Sequence, residues 1–144
     1  MKFLLEIVTP DRRAFSQEVD AITVPTYRGT VGVLAHHMPL FAALSEGEVK
    51  ITDGTKEMYL AIGGGFMEVA TGKVSILVSR AVHADELNES EIKKAQLEAK
   101  EALSRKLTTA ELGAAQALMR RSTVELSLLR RFRRRASPLP VSRS

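Results

Sequence analysis

The sequence predicts a β + α chain: a small antiparallel β-sandwich or flattened barrel, followed by an antiparallel hairpin of two α-helices. Three observations lead there. Through about residue 84 the apolar residues come in short pieces bounded by turn residues, the pattern of strands. From Asn88 onward apolar residues recur at three- and four-residue steps, the pattern of amphipathic helices. Charge changes sign at the same place: residues 1–86 hold 8 Lys and Arg against 11 Asp and Glu, a net of −3, and residues 87–144 hold 13 against 6, a net of +7.

The strand segments, in order, are FLLEIV, VDAITV, VGVL, GEVKIT, EMYLAI, FMEVA and KVSILV. Between them stand TPD at 9–11, YRG at 27–29, TDGT at 52–55, GGG at 63–65 and TG at 71–72, where glycine or Asx-type residues supply backbone conformations that other residues resist. Such short spacing predicts antiparallel neighbours and leaves no room for βαβ crossovers. Their alternating apolar faces need a second sheet or a closed curve to bury them.

The first helix is predicted over 88–107. Ile92, Ala95, Ala99, Ala102 and Leu103 form a narrow stripe, mostly alanine, that lets another helix approach closely. Asn88 is the expected N-cap, with Glu91 completing something close to a capping box. Glu89 and Lys93 make an i,i+4 pair worth about 0.3 kcal/mol. A second helix starts at Thr108 or Thr109, with Leu112, Ala115, Met119, Leu126 and Leu129 as its apolar face. The basicity concentrates there, at Arg120, Arg121, Arg130, Arg131, Arg133, Arg134 and Arg135, and cations toward a helix C-terminus suit its dipole. The predicted organisation is a sandwich over 1–86, a helical hairpin over 87–136 and a disordered tail over 137–144, where SPLPVSRS has little to bury.

At 144 residues with 44% hydrophobic content, either half alone is small enough to gain from a docked partner. The absence of cysteine excludes a disulfide framework, a thiolate nucleophile and Cys-built zinc sites. No run approaches the roughly 18 to 20 apolar residues needed to cross a bilayer, and MKFLLEIVTPDRR reads as a mature strand instead of a signal. His36 and His37 are adjacent and His83 is distant, a poor metal set; a turn histidine hydrogen-bonded near Pro39 is the simpler reading. GGGF at 63–66 lacks the spacing and the following helix of a P-loop, and reads as a tight, bulged connection. No cofactor is expected. RRFRRR could hold phosphate backbone, so a basic-helix nucleic-acid-binding adaptor is the alternative reading, but Phe132 alone interleaves the run with an aromatic.

GTVGVLAHHMPLF at 29–41, GEVKI at 47–51, GGGFMEV at 63–69 and KVSILVSRAVHADEL at 73–87, with FSQEVDAITVP at 15–25 before them, resemble in order the epsilon subunit of bacterial and chloroplast rotary ATP synthases, called delta in mitochondria. The resemblance implies a ten-stranded antiparallel β-sandwich and a non-catalytic rotor subunit. Such a subunit couples the gamma subunit to the membrane c-ring in the central stalk and regulates ATP hydrolysis through its C-terminal helices. It implies a peripheral place on the cytoplasmic face of the bacterial inner membrane, held only through the complex, and no nucleic-acid partner.

By the same resemblance Arg28, Gly29, Thr30, Val31, Gly32, His37, Met38 and Pro39 contact the c-ring or gamma, with the glycine signature at Gly29 and Gly32 on a loop. Thr30 stands where many relatives carry a glutamate, which removes an acidic contact from that expectation. His37 and Pro39 match the family's GHxPL stretch, but His36 and Ala35 replace its common Gly and Pro, and a glycine there permits a dihedral that histidine tolerates less well. The arginines of the second helix would meet acidic segments of the alpha and beta subunits when the hairpin extends. A family ATP-binding motif aligns with Leu87, Asn88, Glu91 and Ile92, where Asp has become Asn88, Arg has become Glu91 and Ala has become Ile92. A carboxylate where a cation would face phosphate repels it, so ATP binding is expected to be weak or absent.

Overall fold

Burial alternates residue by residue along the first part of the chain, as a pleated strand with one face on a core requires. In a computed structural model, residues 1–136 are described, with side chains as far as Phe132. The predicted tail 137–144 and the side chains of Arg133, Arg134 and Arg135 lie outside the described residues. Ten strands form: β1 (Phe3–Val8), β2 (Arg13–Val19), β3 (Ala21–Thr26), β4 (Gly29–Leu34), β5 (Leu40–Leu44), β6 (Gly47–Asp53), β7 (Lys56–Ile62), β8 (Gly65–Ala70), β9 (Lys73–Val78) and β10 (Ala81–His83). The segment VDAITV straddles the end of β2 and the start of β3, because the chain reverses at Asp20. Three strands escape the apolar pattern: β2 buries only Phe15 and Val19, β5 has two small alanines in succession, and β10 is three residues long.

The strands run in the order β10-β7-β6-β3-β5-β8-β9-β1-β2, with β4 on the other side of β3. The link between β3 and β5 is the single pair Thr26 and Leu44, so two ladders join at a corner and close on one core. Leu5, Ile7, Val49, Ile51, Leu60 and Ile76 are each fully buried in it. All neighbours are antiparallel except β1 and β9, which run parallel with Leu5 opposite Val74 and Ile7 opposite Ile76. Consecutive strands that pair are antiparallel, as their short connections predict; β1 and β9 are distant in sequence and so can meet in parallel without any crossover helix.

The triple glycine is not the bulged connection expected. Gly63, Gly64 and Gly65 have no positive φ; they bring two chain segments unusually close. Gly63 N–H donates to Arg80 O at 2.9 Å, Ser79 N–H donates to Gly64 O at 3.1 Å, and a Cβ on Gly65 would stand 2.7 Å from Val78 Cα. Gly29, with φ of 113°, does serve a turn in the expected manner.

On the outer face of β1, Glu6 bridges its neighbours. Its Oε1 is 2.7 Å from Lys73 Nζ on β9 and its Oε2 is 3.7 Å from Arg13 Nε on β2. The bond from Lys73 is the largest cause holding the Glu6 carboxyl below its ordinary value of 4.5, with Arg13 adding to it against partial desolvation. A depressed carboxylate contributes stability that is complete above the unfolded pKa and is lost as pH falls through the folded one. Thermal midpoints of the parent and Glu6→Gln are therefore expected to differ most near neutral pH and to converge below about pH 4.5; a constant difference down to pH 3 would remove Glu6 from the acid response.

The boundary between two compact units falls between His83 and Ala84. The second unit opens with a short 3-10 turn at Ala84–Glu86, followed by α1 (Glu89–Leu103) and α2 (Thr109–Ala136). Asn88 caps α1, its side chain accepting from Glu91 N–H at 3.2 Å. The first helix ends at Leu103, four residues short of expectation, where Ser104 Oγ donates to Glu101 O. Thr108 begins the second through a full reciprocal box: Glu111 N–H donates to Thr108 Oγ1 at 3.2 Å and Thr108 N–H to Glu111 Oε1 at 3.1 Å. Ile92, Leu126 and Leu129 form a small core, with Leu87 and Phe132 against it. Ala99 and Ala115 are buried, but Leu112, placed on the apolar face by its spacing, is 40% exposed. Lys93 and Glu89 pair at 3.2 Å.

Candidate functional site

Wherever a strand has one wet face, alternation should put polar residues there. Three strands of one ladder break this rule at neighbouring positions. Phe41 on β5, Phe66 on β8 and Leu77 on β9 are 67%, 52% and 55% exposed, while Met67 and Val69 of β8 and Ile76 and Val78 of β9 are buried on the opposite face. Phe66 sits opposite Leu77 and opposite Ala43, and the rings of Phe41 and Phe66 stack with centroids 5.5 Å apart. Tyr27 is also exposed, and its hydroxyl comes within 4.0 Å of where a Cβ on Gly64 would lie. A contiguous exposed patch of aromatic and aliphatic side chains on a sheet is the usual mark of an interaction surface. The residue reading missed it, although the signal was present: aromatics occupy the polar phase of LFAAL and GFMEVA.

The residues expected to contact the c-ring or gamma do not form one spot. Gly29 and Gly32 lie in strand β4, not in a loop. Arg28, Gly29 and Thr30 belong to its first end, where Thr26 Oγ1 donates to Gly29 O at 2.6 Å and Arg28 N–H donates to Thr26 Oγ1 at 3.2 Å. His37, Met38 and Pro39 follow its other end, about 17 Å away at 3.3 Å per residue. Val31 is half-buried between them and Gly32 is exposed. At the far end His37 N–H donates to Leu34 O at 3.2 Å and its Nδ1–H to Met38 O at 2.7 Å. His36 has φ of 66°, the left-handed region that glycine occupies freely and that costs an ordinary L-residue roughly 1–2 kcal/mol. Met38 is left 77% exposed.

The histidines do not converge. His83 Nε2–H donates to Ala14 O at 2.9 Å, and among the described residues no group of three or more His, Cys, Asp or Glu could hold a metal. No described helix is long and apolar enough to cross a membrane.

On the second unit, Leu87 packs beside Ile92, which is 5% exposed and part of the core. Asn88 is engaged as the cap, and Glu89 and Glu91 place negative charge in the first turn. Of the arginines, Arg120 and Arg131 share one exposed face about three turns apart. Arg130 is exposed elsewhere, and Arg121 is half-buried with its Nε enclosed and without a hydrogen-bond partner among the described residues.

Comparison with known proteins gives these surfaces a context. The family model for the β-sandwich domain of ATP synthase delta/epsilon chains matches residues 2–84. An ATP synthase epsilon chain of Herpetosiphon aurantiacus is 39% identical over 135 residues, spanning 94% of this chain and 99% of that one. One from Dehalococcoides mccartyi is 36% identical over 134 residues, spanning 92% and 96%. Among solved structures, a chain of the Euglena gracilis mitochondrial ATP synthase, in an OSCP/F1/c-ring assembly, superimposes with a TM-score of 0.66 at 26% identity, covering 94% of this chain and 82% of that one. A chain from the central stalk and c-ring of the Tetrahymena thermophila enzyme gives a TM-score of 0.59 at 19% identity and shares the fold.

Proposed function

The chain belongs to the delta/epsilon chain family of ATP synthases, and on that premise we propose that it is a non-catalytic rotor subunit whose sandwich docks on the gamma subunit through the Phe41, Phe66 and Leu77 patch. The exposed stacked aromatic pair carries this reading, because aromatic anchors dominate interface energies and a wet face has no other use for them. The residues at the ends of β4, chiefly Thr30, Met38 and Pro39 with Arg28, Gly29, Val31, Gly32 and His37 around them, are offered to the c-ring or to gamma. The chain then reaches the membrane only through the complex, on its cytoplasmic face. Arg120, Arg121, Arg130, Arg131 and the following Arg133, Arg134 and Arg135 are the cations offered to acidic segments of the alpha and beta subunits. That a 26% identical chain of similar fold stands in an F1/c-ring assembly supports coupling; nucleic-acid binding by the arginine run has no such support.

Docking is tested by titrating the full chain into the cognate catalytic head lacking it. Phe41→Ser and Phe66→Ser are each expected to cost about 2 kcal/mol of binding, or roughly thirtyfold in Kd, with thermal midpoints preserved because both side chains are exposed. Parent-like affinity in both variants would remove the patch as the docking surface.

At the start of α1 we place no ATP site. Ile92 is committed to packing, Asn88 to capping, and Glu91 presents a carboxylate where phosphate would need a cation. Isothermal titration of the full chain with ATP is expected to show no binding at millimolar nucleotide; a micromolar Kd would overturn this.

A further inference from the structure

The docking patch contains a charge that its own strands leave unanswered. On β8 the outward positions after Phe66 are Glu68 and Ala70, and Met67 and Val69 point into the core. Glu68 sits opposite Phe41 on β5 and Ser75 on β9, neither of which carries charge. The cations of this face are engaged elsewhere, since Lys73 Nζ and Arg13 Nε both turn to Glu6. Among the described residues Glu68 makes no side-chain hydrogen bond or ion pair, and it is exposed.

That arrangement is harmless in water and costly under a partner. A segment lying over Phe41 and Phe66 removes the adjacent carboxylate from solvent, and a desolvated carboxylate without a counter-charge opposes binding. We infer that the segment of gamma covering this patch carries a Lys or Arg that pairs with Glu68, between apolar residues that cover Phe41 and Phe66. The net −3 of residues 1–86 favours the same partner chemistry, because an acidic surface draws a basic segment toward it during encounter. The inference deepens the docking reading and rests on it. Glu68 then sets the register of the docked segment, while the aromatic pair supplies most of the affinity.

The test uses the full chain and the cognate catalytic head lacking this subunit, at low and at several-fold higher salt. Glu68→Gln keeps the shape and removes the charge. It is expected to weaken binding at least about tenfold at low salt and to flatten the salt dependence, and Glu68→Lys to weaken it further through like-charge contact. Thermal midpoints of both variants should match the parent, because Glu68 has no internal partner to lose. If Glu68→Gln binds as tightly as the parent with an unchanged salt dependence while Phe66→Ser loses binding, the cationic partner is wrong and the docking reading stands. If Phe41→Ser and Phe66→Ser bind like the parent, the docking reading fails, and this inference with it.

Discussion

Gly65→Ala is expected to destabilise the sandwich by about 3 kcal/mol, because its Cβ would meet backbone atoms more closely than at any other described glycine. Gly65 opens β8 and lies opposite Val78 on one side and Leu44 on the other. A Cβ there would stand 2.7 Å from Val78 Cα and 2.9 Å from Leu77 C, and would also press on the Leu77 carbonyl oxygen. These are backbone atoms. Leu77 cannot retreat, because β9 is held on its far side by β1, where Leu77 pairs with Val8. The cost therefore falls on the pairing of three strands at once. Gly64→Ala makes the matching control: its Cβ would meet Leu44 O at 3.5 Å, an ordinary contact, so it should change stability by no more than about 1 kcal/mol. Urea unfolding of the three proteins decides the matter. A loss of under about 1 kcal/mol for Gly65→Ala would show that β8 and β9 separate readily at this point.

The same glycine marks how far the sequence could be read. GGG at 63–65 looks like a turn by composition, and only the ladder reveals that close approach is the reason for it. Period and punctuation were enough for the strands with strong alternation and for both helices, since each of those signals is local. They were not enough for β2, whose exposed face is almost all polar, or for the parallel pairing of β1 with β9, which depends on how two distant segments close one core. Local rules also went unused: Thr108 and Glu111 have capping-box spacing, and the box fixes where α2 begins. At the candidate site the substitution of His36 for glycine pointed correctly to a left-handed dihedral. The Phe41 and Phe66 patch went unread because apolar segments were assigned to strands without asking which face each aromatic occupies, although both stand in the exposed phase of their strands.

Hydrolysis of ATP by the cognate catalytic head should be slowed at least about tenfold by the full chain and left nearly unchanged by residues 1–86, a difference requiring only about 1.4 kcal/mol of selective binding. The helical unit has the properties of a movable brake. Among its described residues Ile92, Leu126 and Leu129 form one cluster, and Leu128, Ala99 and Ala115 are also buried; each large side chain contributes only about 1.5–3 kcal/mol when buried. A partner that binds one arrangement of the helices better than another by a similar amount therefore shifts the population between them. If an acidic partner meets α2, the exposed face carrying Arg120 and Arg131 is where it would bind, and the net +7 of residues 87–144 would add to the attraction. Two further outcomes follow if charge supplies the selectivity. Arg120→Glu with Arg131→Glu should release most of the inhibition, and raising salt from 0.05 to about 0.5 M should release part of it by shortening the Debye length. Residues 1–86 should still compete with the full chain for the head, because the docking patch lies wholly within them. Equal inhibition by the fragment would move the brake into the sandwich, and binding of both forms without inhibition would leave coupling as the chain's sole role.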